Sequence, residues 1–221
     1  MRERQTIADS KKAFHKAFPY VIPPIYRRVA DELLVELHLL RHQKCFKNDT
    51  IFAIGLISAF DSFTRGYKPE GHLEKLFEAI CRSNGYDPIS IREGANNALT
   101  AIKDIPSKEK ALWLRNKGAG APGKLENDIE LLSKGNNHYS RLISIGLLTL
   151  LKENIQEEEN TNIKSTQETL KGIVEEFGFT KERVERDINQ YSSYLDKITQ
   201  ALELMKETTA RERKKKEESK K

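Results

Sequence analysis

The chain is short of cysteine, of long apolar runs and of strict apolar/polar alternation, and each shortage excludes a class of protein. Its two cysteines, Cys45 and Cys81, stand apart without CxxC spacing, so no disulfide framework is encoded and reduced thiols in a non-oxidising compartment are expected. No apolar run reaches the ~20 residues that a bilayer-spanning helix requires. The most apolar stretches, residues 51–63 and 142–151, have the length of buried core helices. The opening Met1-Arg2-Glu3-Arg4 carries an early acid and no apolar core, against a secretory signal or a plastid transit peptide. No segment alternates as a half-buried strand does, which leaves an all-α protein.

Charge is present but unevenly placed. The 221 residues are 32% charged, with mean hydropathy −0.64 and net charge +5. Residues 211–221 hold seven Lys/Arg against Glu212, Glu217 and Glu218, a net +4 that leaves +1 for the rest. A basic chain invites an acidic partner such as nucleic acid or anionic lipid, yet here the body is almost neutral. The chain is long enough for one substantial core and too short for two ordinary domains.

Residues 22–40 organise the rest. Apolar side chains at Ile22, Ile25, Tyr26, Val29, Leu33, Leu37 and Leu40 recur every three or four positions, one wide face of a helix that others must cover. Pro23 and Pro24 suit its first turn, where a missing N–H costs nothing. Before it, Thr6 or Asp9 can cap a helix carrying Phe14. After it, Asp49 and Thr50 lead into residues 51–63, apolar nearly all round, the pattern of a helix surrounded by others. Leu73, Leu76, Phe77 and Ile80 mark the next helix, stopped at Asn84-Gly85. Asp87-Pro88 restarts the chain as N-cap and first turn. Short helices are expected from Ser107 to Trp113 and around Leu125, Ile129 and Leu132, and a strongly apolar one from Tyr139 to Leu151.

Composition then changes. Residues 153–162 are almost wholly polar, a linker or exposed turn. Beyond Gly178 and a cap at Thr180, Val184, Tyr191, Ile198 and Met205 share one heptad position, and Ile188, Leu195 and Leu202 the other. Sustained over three heptads, this is a coiled-coil seam, to be covered by a partner, by self-association or by folding back. The expected architecture is a compact multi-helix body over residues 1–155, followed over residues 156–221 by a charged linker, a helix, the seam and a basic tail.

No catalytic constellation emerges. Gly118-Ala119-Gly120-Ala121-Pro122-Gly123-Lys124 matches a phosphate loop through its lysine, but Leu125 stands where Ser or Thr must hold magnesium, and a polar helix precedes it where a strand is needed. An interhelical loop is the better reading. His38 and His42 have chelating spacing without a third ligand nearby and read as partly exposed helix histidines. His15, His72 and His138 are dispersed, and no G-x-S-x-G nucleophile turn occurs. Carboxylate pairs such as Asp31/Glu32 and Glu175/Glu176 fit solvated helix faces. No cofactor, metal, specific nucleic acid or small-molecule substrate is therefore expected.

The run Ile25-Tyr26-Arg27-Arg28-Val29, followed by residues 32–40, resembles the hallmark segment of the thylakoid formation family, a photosystem II biogenesis factor of cyanobacteria and plastids. Residues 49–66, the closing Arg65-Gly66-Tyr67-Lys68-Pro69, Ile80-Cys81, Tyr139-Ser140-Arg141-Leu142 and Ile145-Gly146-Leu147 follow in the family's order. The resemblance covers roughly residues 5–155. It implies a non-enzymatic role in thylakoid biogenesis and photosystem II assembly or repair. It also implies association with membrane FtsH protease complexes and a peripheral position on the thylakoid from the cytoplasmic side of a cyanobacterium. Within it, Tyr26, Arg27, Arg28, Glu32, Glu36, Arg65, Tyr67 and Lys68 are candidate contact residues. Alternatively, Arg27 and Arg28 pair with Asp31 and Glu32 along their own helix. The rival reading is a nucleic-acid-binding module working through residues 211–221, although Glu212, Glu217 and Glu218 interrupt that basic run.

Overall fold

The computed structural model describes residues 5–135, 138–152 and 163–218. They form α1 (Ile7–Ala17), α2 (Pro24–Arg41), α3 (Thr50–Phe63), α4 (Leu73–Arg82), α5 (Pro88–Ala101), α6 (Ser107–Arg115), α7 (Lys124–Ser133), α8 (Arg141–Leu151), α9 (Ile163–Lys171) and α10 (Lys181–Glu218). Single 3-10 turns sit at Glu70–His72 and Val174–Phe177, and no strand occurs among the described residues. The expected linker at residues 153–162 lies outside them.

Helix α3 is the axle. Eleven of its 14 residues are buried, and ten of the 11 in α8, so each helix is wrapped by neighbours and by the other. Their crossing is close because each presents a glycine. A Cβ on Gly55 would lie 1.8 Å from the Leu142 carbonyl oxygen, and one on Gly146 2.1 Å from that of Ile51. Any side chain at either position would force the backbones apart. Helix α5 packs on another side of α3 through Ile91, Ala95 and Ala98.

Local chemistry starts the helices where the sequence indicates. Thr6 and Asp9 form a reciprocal capping box on α1. Asp87 accepts from the Ile89 N–H (3.2 Å) at the head of α5, with Pro88 next. Asp49 accepts from the Phe52 N–H (2.8 Å), and Asp128 of α7 accepts from the Thr50 N–H (2.9 Å). Two carboxylates thus share the positive end of α3. Burial pushes the Asp49 carboxyl up to about 6, and the nearby Asp128 charge adds to the rise.

Two expectations are refined. The apolar helix expected from Tyr139 begins at Arg141, because the Ser140 hydroxyl accepts from the Leu142 N–H (3.1 Å) and acts as its cap. His38 is buried rather than partly exposed, its Nδ1 2.9 Å from the Ser10 hydroxyl, and burial lowers its pKa. The glycine-rich loop follows helix α6, and its Leu125 is core at 1% exposure. Gly118, at φ +96°, turns so closely that a Cβ would lie 2.3 Å from the Glu126 carbonyl oxygen. Its glycines serve the turn.

One continuous cluster of buried apolar side chains runs from Phe14 through α9 to Ile198. The first half of α10 lies against α8 and α3 and buries Val184, Ile188, Tyr191, Leu195 and Ile198 there. Leu202 is half-buried and sits over Gly66, whose missing Cβ would come within 2.7 Å of a Leu202 methyl. Met205, the last seam residue, is 56% exposed. The seam is covered by the body over most of its length and then runs past its edge.

Candidate docking site

Arg28, Glu32 and Glu36 recur at intervals of four along α2 and so occupy one strip of its surface. Opposite that strip stands Arg141, the first residue of α8. A cation at a helix N-terminus opposes the helix dipole, and its partners supply the compensation. Arg141 Nε donates to Glu36, and its Nη1 lies 3.3 Å from Glu32. The Ser140 hydroxyl donates to Glu36 at 3.0 Å. Burial pushes Glu36 up against the opposing pull of Arg141. Burial also raises Glu32, but the Arg28 hydrogen bond and the Arg141 charge outweigh it and hold that carboxyl below its ordinary value.

The strip continues onto α10. Arg28 donates to Glu32 (2.9 Å) and to the Tyr194 hydroxyl (2.7 Å), and its guanidinium lies 5.3 Å from the centre of that ring. The Tyr194 hydroxyl in turn donates to Glu32 at 3.2 Å. One turn back, the Tyr191 hydroxyl meets Ser62 at 3.1 Å. Asp187 accepts from the Tyr139 hydroxyl at 2.6 Å, and Arg183 covers the Tyr139 ring at 4.3 Å. A cavity of about 20 Å³ beneath this cluster is lined by polar Glu32, Arg141 and Asp187 and by apolar Leu33 and Phe63. It has room for one water with several partners.

A second group lies where α3 ends. The Tyr26 hydroxyl donates to the Arg65 carbonyl (3.0 Å), and its ring lies 5.1 Å from that of Tyr67, which is 1% exposed. These two tyrosines are pillars under the loop, whereas Arg65 and Lys68 stand on its surface, Lys68 paired with Glu70. An open depression of about 430 Å³ adjoins them, lined by Asp61, Arg65, Glu70, Glu74 and Arg92 among others. Arg92 binds Glu74 at 2.9 Å and approaches Asp61 at 3.9 Å, so much of its charge is internally balanced.

The eight expected contact residues therefore separate. Arg28, Glu32 and Glu36 hold α2, α8 and α10 together, and Tyr26 and Tyr67 support the loop. Arg65 and Lys68 remain on the surface, with Arg27, which donates to the Ile22 carbonyl at 3.4 Å. Sequence reasoning missed Arg141, Asp187 and Tyr194, which lie more than 100 residues from Glu36. Arg141 stands in the run Tyr139-Ser140-Arg141-Leu142, and its unfavourable place at a helix start was the available signal. No group of three or more His, Cys, Asp or Glu is gathered to hold a metal among the described residues. None of the described helices is long and apolar enough to cross a membrane. What the network does chemically is adhesion between helices.

The family model for thylakoid formation protein matches residues 6–220. Protein Thf1 of Prochlorococcus marinus strain MIT 9313 is 45% identical over 220 residues, covering 99% of this chain and 90% of that protein. Protein Thf1 of Synechococcus sp. strain CC9902 is 42% identical over 219 residues, covering 98% and 94%. The solved structure of Psb29 at 1.55 Å superposes with TM-score 0.80 at 35% identity, over 96% of this chain and 98% of that one. The match thus spans the body, the loop bearing Arg65 and Lys68, and the docked C-terminal helix alike, and the chain belongs to the thylakoid formation protein family.

Proposed function

We propose that this protein is a non-enzymatic accessory factor in thylakoid biogenesis and photosystem II assembly or repair, acting by docking on membrane FtsH protease complexes. It works peripherally, from the cytoplasmic face of the thylakoid. The observation that carries this reading is the family match over residues 6–220. Its physical support is the division of labour just described. Arg28, Glu32 and Glu36 are tied to one another and to α8 and α10, while Arg27, Arg65 and Lys68 stand on the surface, Lys68 beside its partner Glu70. Rim cations of this kind steer association and set its rate more than its final strength.

The test is co-purification of the tagged chain from solubilised photosynthetic membranes, beside a variant carrying Arg65→Glu and Lys68→Glu. Recovery of FtsH subunits with the parent chain, reduced in the variant at unchanged melting temperature, is the expected result. Recovery of the tagged chain without FtsH subunits overturns the reading.

A further inference from the structure

Helix α10 does not stop where the body does. It continues to Glu218, and the side chains of residues 203–212 are exposed. At about 1.5 Å per residue, the stretch from 203 to 218 projects roughly 24 Å. Among the described residues, the last seam residue to meet the body is Leu202. Two further features distinguish it. Leu204 and Met205 are 64% and 56% exposed at its base. In sequence, basic residues gather toward its end: residues 203–218 hold six Lys/Arg against five Glu, and residues 211–221 taken alone carry a net +4.

We propose that this overhang binds an anionic lipid surface directly, its basic end among the headgroups and Leu204 and Met205 entering the interface. Clustered Lys and Arg on a helix are drawn to the negative potential of such a surface. Leu204 and Met205 are adjacent in sequence and so point about 100° apart around the helix. Both lie on the same half of the cylinder, which a bilayer interface accepts. Against nucleic acid, the overhang offers no aromatic side chain for stacking. A duplex backbone would also gain nothing from the apolar pair. The proposal deepens the peripheral-membrane part of the reading above. An assay containing no other protein separates its failure from failure of the protease contact.

The experiment is co-sedimentation of the full chain with phosphatidylcholine vesicles, with and without phosphatidylglycerol, across a salt series. Binding is expected only with phosphatidylglycerol and is expected to fall steeply with salt. Replacing Lys214, Lys215 and Lys216 together by Gln should weaken it roughly tenfold or more. Leu204→Ser with Met205→Ser should weaken it several-fold, with melting temperatures unchanged in both variants. Equal binding to neutral vesicles, no binding, or insensitivity to both variants overturns the proposal. So does tighter binding to duplex DNA at equal phosphate concentration, which would return the tail to nucleic acid.

Discussion

The α3/α8 crossing and the seat of α10 hold helices together by different means. At the crossing, two glycines let backbone meet backbone, Gly55 against the Leu142 carbonyl and Gly146 against that of Ile51. The contact is a matter of shape, and added atoms are its enemy. Under α10, an apolar row from Val184 to Ile198 is bordered by Arg28, Glu32, Glu36, Arg141, Asp187 and Tyr194. There the fit depends on charges finding their opposites, and removing one partner strands another. The two regions should therefore fail under different substitutions, and that difference can be tested.

The largest effect is expected from Gly55→Val, which drives methyl groups into a neighbouring backbone. It should cost at least about 3 kcal/mol and abolish a single cooperative melting transition. Ending the chain before Thr180 comes next. Loss of the buried seam, net of the entropy of ordering α9-linked chain and helix, should lower stability by roughly 2–4 kcal/mol while leaving a cooperative body. An unchanged melting temperature would mean that α10 contributes contact and no bracing.

Arg141→Met should cost about 2 kcal/mol, less than a fully buried ion pair because Arg141 keeps 29% side-chain exposure. Adding Glu36→Gln should recover part of that loss, since the stranded carboxylate is then gone. A double variant no better than the single one would contradict the ion-pair account. The smallest effect has the opposite sign. Asp49 has its carboxyl raised to about 6 from 3.8, so the folded state holds the extra proton and stability falls as pH rises from about 4 to about 6. Asp49→Asn keeps a capping side chain and removes that charge beside Asp128. It should stabilise the protein by about 1–2 kcal/mol at about pH 7.5, with the gain gone below about pH 4 in parallel thermal melts.

Much of this fold was legible because it depends on neighbours in sequence. Asp49, Asp87-Pro88 and Thr6/Asp9 announce helix starts through local hydrogen bonds, and the α10 seam announces itself through its period. What covers the seam was not legible. Periodicity says that a face is apolar, and it is silent about which surface will meet it. The candidate site divided along the same line. The strip Arg28, Glu32, Glu36 could be read from spacing, but its partners Arg141 and Tyr194 arrive through tertiary folding. Gly55 and Gly146 were available as a signal, since glycine inside an apolar helix weakens it unless something must come close.

Amide hydrogen exchange of the parent chain beside Tyr194→Ala tests the central claim most directly, namely that α10 is fastened to the body by its apolar row and by Tyr194 on the charged strip of α2. In the parent, residues 184–198 should exchange as slowly as their partners in α8, and residues 203–218 rapidly. In the variant, protection should fall over residues 184–198 and persist in α3. Rapid exchange along the whole of α10 in the parent chain would contradict the account.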